Sequence, residues 1–270
     1  MSTALTNGIH VLSDHEIMRN APAVYADEHS DNLSDKYEHY RTYQIIDNLR
    51  DMGWECWSAK QDKVYKKNQL PNANCVATHS LRFARPADLD NIDKCDIFPN
   101  IVLYNSHNGR TSLSLQAGIF RVVCANGLVI PSVEGQVVTM RNKHLGINNT
   151  EELVMGRIDE ILRKQSSLNE IVDRMKSVSI NKEKQLNYAK KMAQLAYGEQ
   201  QGNLYYSQLL KPRRPEDEGD SVWNVYNVVQ ENITKGGIKM KRTTRPVNNI
   251  YRDKHLNELL WSDAYKLAVA

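Results

Sequence analysis

The sequence predicts an α+β protein, with an antiparallel β-sheet and a packed helix in the first half and a helical second half. Apolar residues alternate with period two between Cys75 and Phe83, as in a half-buried strand. Two more apolar runs, Asn100 to Ser106 and Thr111 to Ala117, flank Asn108-Gly109, the dipeptide that best marks a hairpin because both residues tolerate positive φ. Beyond Thr150 the apolar spacing changes to that of amphipathic helices.

Taken in order, residues 1–34 form an acidic N-terminal arm, with Asp14, Glu16, Asp27, Glu28 and Asp31 among few large apolar residues, and little core is expected from it. Ser34 or Asp35 caps a helix through Tyr37, Tyr40, Ile45, Ile46, Leu49 and Met52, which Gly53 ends. Trp54 to Ser58 reads as a strand, and the lysine-rich stretch up to Pro71 as a basic hairpin or loop. Ile119 to Ile130 fits either a short helix ending at Gly127 or a turn between strands. Thr150 opens helical segments carrying Leu153, Ile158, Leu168, Val172 and Met175, and Asn181 opens another that runs to Gly198. Lys211 to Pro215 is a connection. Asp220 or Ser221 caps a helix ended by Gly236-Gly237, and His255 to Leu267 closes the chain as a helix. The resulting division is an arm at 1–34, an α+β core at 35–149, and a helical region at 150–270 that packs on the core and holds a basic segment at 235–254.

Composition limits the function classes. The chain has 270 residues, 41% hydrophobic and 25% charged, close to the average for globular domains. Its formal net charge of +3 is too small to identify a polyanionic partner, so only the placement of charge is informative. No apolar run reaches the roughly 18 residues of a membrane span, and Met1 to His10 lacks a secretory signal, so a cytoplasmic location without membrane contact is expected. Cys56, Cys75, Cys95 and Cys124 form no CxxC pair and have no zinc-finger spacing, which points to reduced, structural thiols.

No motif fixes a reaction. Ser106-His107 and His79 suggest a nucleophile and base, and His79, His107 and Cys124 a ligand set, but strand neighbours point to opposite faces and the turn itself accounts for Asn108-Gly109. Neither GxxxxGK[ST] nor GxGxxG occurs, so nucleotide binding of the common kinds is not expected, and with no convincing constellation of side chains neither an enzyme nor a cofactor is expected. Positive charge gathers in two places. Lys60, Lys63, Lys66 and Lys67 share a loop with Tyr65, near Arg82, Arg85, Arg110 and Arg121 on or beside the strands. A groove built from them would track a phosphate backbone, with Tyr65 or Tyr104 stacking on bases. In the second half, Lys239, Lys241, Arg242 and Arg245 have only Asp253 as a local counterweight. Trp223 and Trp261 sit among apolar residues and read as packing groups.

Three segments together carry a resemblance: Asn105-Ser106-His107-Asn108-Gly109 running into Gly118 to Leu128, then Trp223-Asn224-Val225-Tyr226-Asn227 with Gln230-Glu231-Asn232, then Asn257 to Trp261. They resemble the phage- and plasmid-encoded domain-of-unknown-function family of prophages and integrative elements. The resemblance implies a mobile-element origin and no activity. In element order the first half is also similar to single-strand annealing proteins of recombination, whose β-β-β-α core assembles into rings or filaments along single-stranded DNA. The expectation is therefore a non-enzymatic, homo-oligomeric protein that binds nucleic acid, single-stranded DNA above all, in recombination or strand annealing. The alternative is an accessory factor that binds a host or phage protein and inhibits a defence or restriction complex, its acidic arm acting as a nucleic-acid mimic.

Overall fold

The structure, a computed structural model, describes residues 9–31, 33, 37, 39–64, 75–91, 97–121, 126–129, 168–198, 203–239 and 243–270. The chain divides into two compact units, Met1–Gln165 and Ser166–Ala270. Among the described residues, no helix is long and apolar enough to cross a membrane.

The first unit contains α1 (Asp14–Asn20), a 3-10 turn (Pro22–Tyr25), α2 (Thr42–Asp51), α3 (Pro86–Asp90) and five strands: β1 (Glu55–Gln61), β2 (His79–Ala84), β3 (Ile97–Asn105), β4 (Ser114–Arg121) and β5 (Asn126–Val129). The strands form one antiparallel meander in the order β1-β2-β3-β4-β5. Register rows such as Ala59↔Leu81, Leu81↔Leu103 and Leu103↔Leu115 turn apolar side chains to one face. Ile45, Ile46 and Leu49 of α2, spaced to share a helix face, are buried in the same cluster with Trp54 and Cys56.

The N-terminal segment departs from expectation. Leu12, Ile17, Ala21 and Val24 are buried members of this core, so residues 12–26 contribute to it, against the expectation of an arm with little core. Ser13 caps α1 in a reciprocal box with Glu16, and Leu12 N–H donates to the Cys56 carbonyl at 2.7 Å. Arg50 holds α1 to α2 and β1, reaching Asp14 at 2.7 Å and Glu55 at 3.6 Å, and its bond to Asp14 pulls that carboxyl below the usual range.

Helix α2 starts at Thr42, later than the apolar spacing predicts, because Tyr37 and Tyr40 are engaged elsewhere. The Tyr37 hydroxyl donates to the Ser106 carbonyl at 2.8 Å, and the Tyr40 carbonyl accepts from Asn105 Nδ2 at 3.3 Å. The expected caps Ser34 and Asp35 lie outside the described residues. Strands β3 and β4 do form a hairpin, but residues 106–113 make a wider loop than the two-residue turn expected. Ser106 Oγ closes it, donating to the Thr111 carbonyl at 2.9 Å and accepting from Thr111 N–H at 2.8 Å. Gly109 has φ +73°, and a Cβ there would lie 2.8 Å from Leu33 Cδ2. Gly109→Ala is expected to cost about 1–2 kcal/mol, read as a lower urea midpoint at unchanged m-value.

Of the two readings of Ile119 to Ile130, the strand reading holds: β4 continues to Arg121, and Asn126-Gly127 lies within β5. In the segment that would match the helix of a β-β-β-α unit, the described residues 119–121 and 126–129 are thus strand.

In the second unit, residues 168–177 are helical (α4), followed by α5 (Lys182–Tyr197), α6 (Asn203–Leu209), a 3-10 turn (Pro215–Asp217), α7 (Val222–Lys235) and α8 (Ile250–Val269). Leu168, Val172 and Met175 are buried on α4, whereas Leu153, Ile158 and the rest of 151–167 lie outside the described residues. Asn181 and Ser221 cap α5 and α7 through their side chains, as the sequence indicates. The last helix starts earlier than expected, at Ile250, because Asn249 accepts from Arg252 N–H. Arg252 is therefore helical, and its guanidinium donates to the Ala196 carbonyl at 2.5 Å. Trp223, Tyr226 and Trp261 pack ring against ring, with centroids 6.1 and 5.6 Å apart.

Candidate nucleic-acid interface

Alternation along the strands sorts the predicted basic residues by face. Lys60 pairs with Ser80, which pairs with Tyr104, and Ser58 pairs with Arg82, which pairs with Val102. Lys60, Arg82 and Tyr104 therefore share the sheet face turned away from α2. Lys60 and Lys63 are exposed and Arg82 is half-buried, so charge reaches solvent along β1, an edge strand, and its neighbour.

Other members of the expected groove are elsewhere. Arg121 is buried and lies in register with Ile97, on the face that carries Ile101 and Leu103, so it does not join Lys60 and Arg82. Tyr104 is also buried, which removes it as an open stacking surface. Exposed Arg85 precedes α3, with its guanidinium 5.4 Å from the centre of the Trp54 ring. Arg110 is exposed in the β3–β4 loop, its backbone N–H donating to Asn108 Oδ1 at 3.2 Å. Tyr65, Lys66 and Lys67 lie outside the described residues, as do Lys241 and Arg242. In the helical unit, Lys239 and Arg245 are exposed, with Lys239 and Thr243 paired in an isolated antiparallel bridge.

The first unit also holds a cluster that sequence spacing could not reveal. The rings of His29, His39, His107 and His79 follow one another with centroids 6.2, 4.4 and 5.2 Å apart. Bonds to carbonyls fix the tautomers of all four, because a carbonyl only accepts, and His29 Nδ1–H donates to Ser30 at 3.0 Å. His39 Nε2–H donates to Ala26, His107 Nε2–H to Ala23 and His79 Nδ1–H to Ala77, at 3.1, 3.0 and 3.0 Å. The Thr42 hydroxyl donates to His79 Nε2 at 2.9 Å and accepts from Asn105 Nδ2 at 3.0 Å. Burial lowers the affinity of these rings for protons, to a pKa of about 4 for His79 and about 3 for His107. Neutral imidazoles thus tie Ala23, Ala26 and Thr42 together beside the sheet.

Ser106 Oγ is engaged with Thr111, and both nitrogens of His79 and Nε2 of His107 are bonded to other groups, whereas His107 Nδ1 is buried without a hydrogen-bond partner. Among the described residues, no group of three or more His, Cys, Asp or Glu side chains is arranged to hold a metal ion. Cys124 and Cys95 lie outside the described residues; Cys56 is buried, which pushes its thiol up to about 12, and Cys75 is exposed.

A family model described as "Domain of unknown function (DUF932)" matches residues 30–261. The chain belongs to the DUF932 family. It is 30% identical over 256 residues to UPF0380 protein YafZ and 32% identical over 256 residues to UPF0380 protein YfjQ, both of Escherichia coli strain K12. Each alignment covers 93% of this chain and 89% of the relative. No solved structure matches it. The segments that carried the family resemblance are largely interior in this DUF932 chain: Asn105, Ser106 and His107 are buried, as are Asn227, Gln230, Glu231, Asn232 and Asn257. Gln230 Nε2 donates to Asn257 Oδ1 at 2.7 Å, joining α7 to α8, so these residues hold the fold together.

Proposed function

We propose that this DUF932 protein is a non-enzymatic, cytoplasmic, mobile-element protein that binds single-stranded DNA and assists recombination or strand annealing as an oligomer. The observation that carries the reading is the placement of Lys60 and Arg82 on one sheet face with Lys63 exposed just beyond the end of β1. Ammonium and guanidinium groups set along an extended edge strand suit a flexible phosphate backbone, and neutralising phosphates releases counterions. Exposed Lys239 and Arg245 give the helical unit a basic segment of its own. The mobile-element assignment follows the sequence resemblance described above, and oligomerisation would line up such sites on one strand.

The accessory-factor alternative draws less support. Asp14 is paired with Arg50 at 2.7 Å and Asp27 with Arg41 at 3.3 Å, so two of the arm's carboxylates are neutralised within the unit. Replacing Lys60 and Lys63 by Ala is expected to weaken single-strand binding and flatten the dependence of log affinity on log salt by about 0.7 for each phosphate no longer neutralised. Titrations of labelled oligonucleotides at several salt concentrations measure both quantities, and an unchanged slope would take β1 out of the binding surface.

A further inference from the structure

The sheet face that carries Arg82 continues into polar groups that the chain leaves unsatisfied. Asn100 on β3 is fully buried, and neither its side-chain oxygen nor its nitrogen has a hydrogen-bond partner. Arg82 Nη1 and Trp57 Nε1 are likewise buried and unpartnered. The register brings these groups together. Arg82 lies directly across from Val102, two residues along β3 from Asn100, so both polar side chains share one face. The irregularity in β1 between Cys56 and Ser58 turns Trp57 toward the same side, where its ring lies 5.7 Å from Phe98 and 4.6 Å from Phe120. Across from Asn100 stands Gly118, which offers the amide no side-chain partner.

Buried amides in folded proteins are nearly always hydrogen-bonded, so an amide orphaned at both atoms marks a place where a polar partner belongs. A carboxamide offers a donor and an acceptor side by side, the pattern that pairs with the edge of a nucleobase. Trp57 adds a second donor within an aromatic wall, and Arg82 adds a positive charge. Towards the edge of this face Ser58, Ser80 and Arg82 are partly exposed and Lys60 is exposed, whereas Asn100 and Val102 are fully buried.

We propose that this face takes up one unpaired base of the bound strand, with Asn100 hydrogen-bonding its edge, Trp57 donating from the aromatic side and Arg82 holding the attached phosphate. The inference rests on the single-strand reading above and adds a base-dependent contact to an otherwise backbone-directed interface. The test compares a deoxyadenosine oligonucleotide with an abasic strand of equal length, using the full chain and its Asn100→Leu variant. The intact protein is expected to prefer the base-bearing strand about tenfold. In Asn100→Leu that ratio falls to about one while the thermal midpoint holds or rises, because removing an orphaned amide relieves the fold. Asn100→Ala provides the same comparison if the leucine does not fit. A retained ratio in the folded variant would overturn the proposal and make Asn100 a structural residue satisfied by a buried water. Equal binding of both strands by the intact protein would overturn the base site and leave the phosphate reading standing; no binding of either strand would end both.

Discussion

Replacing Arg214 by Ala is expected to destabilise the helical unit by about 3–5 kcal/mol, the usual cost of removing one partner from a buried ion pair. Arg214 reaches Glu231 at 2.5 Å and Asp217 at 3.2 Å, and both carboxylates are almost fully shielded, with side-chain exposures of 2% and 1%. Lys235 also approaches Glu231, at 3.0 Å, but from an exposed position where water screens it. The guanidinium is thus the group that ties the 3-10 turn to α7. Arg214→Lys should recover only part of the loss, since an ammonium is a point charge and cannot span two carboxylates as a planar fork does. Adding Glu231→Gln to Arg214→Ala should recover some stability by removing a charge left buried, and a double-mutant cycle in urea measures that coupling. A loss under about 1 kcal/mol would mean that the pair behaves like a surface one.

The first unit is expected to lose stability as pH falls from neutral. His79 and His107 have native pKa values of about 4 and about 3, below the ordinary value near 6.5. Above pH 6.5 both are neutral, folded or unfolded, and add no pH dependence. Between 6.5 and the native values the unfolded chain takes up protons that the folded chain refuses, so stability drops with each unit of acidification. By pH 4 each ring accounts for about 3 kcal/mol, and the two together rival the whole stability of a typical domain. His39, lowered chiefly by burial, acts in the same direction. Charging His79 would also turn its Nε2 from an acceptor into a donor and break the bond from the Thr42 hydroxyl, whereas the Nε2–H bonds of His107 and His39 to Ala23 and Ala26 remain possible in the charged rings. His107→Gln keeps a donor near the Ala23 carbonyl but cannot titrate. Its urea midpoint should therefore fall less between pH 7 and pH 4.5 than that of the unaltered chain, and an identical fall in both would contradict this account of the cluster.

What the sequence made legible was local. Period-two alternation located β2 and β3, and the side-chain caps Asn181 and Ser221 located two helix starts, because each signal is complete within a few residues. The capping box of Ser13 and Glu16 was equally local, but the acidic composition around it obscured a helix whose Ile17 is fully buried. Other features arise only on folding. His29, His39, His79 and His107 come from three separate stretches, and no spacing connects them before the strands pair. Arg121 resembles the other arginines in sequence, and only its register with Ile97 shows that it faces the core side. Asn100 reads only as the first residue of an apolar strand run; its significance appears once β3 is seen to be buried on both faces.

The most direct test of the central claim is fluorescence anisotropy of labelled single- and double-stranded oligonucleotides titrated with the intact protein at several salt concentrations. The expected result is tighter binding of the single strand, with an affinity that falls steeply as salt rises. No binding of either strand at low salt would contradict it.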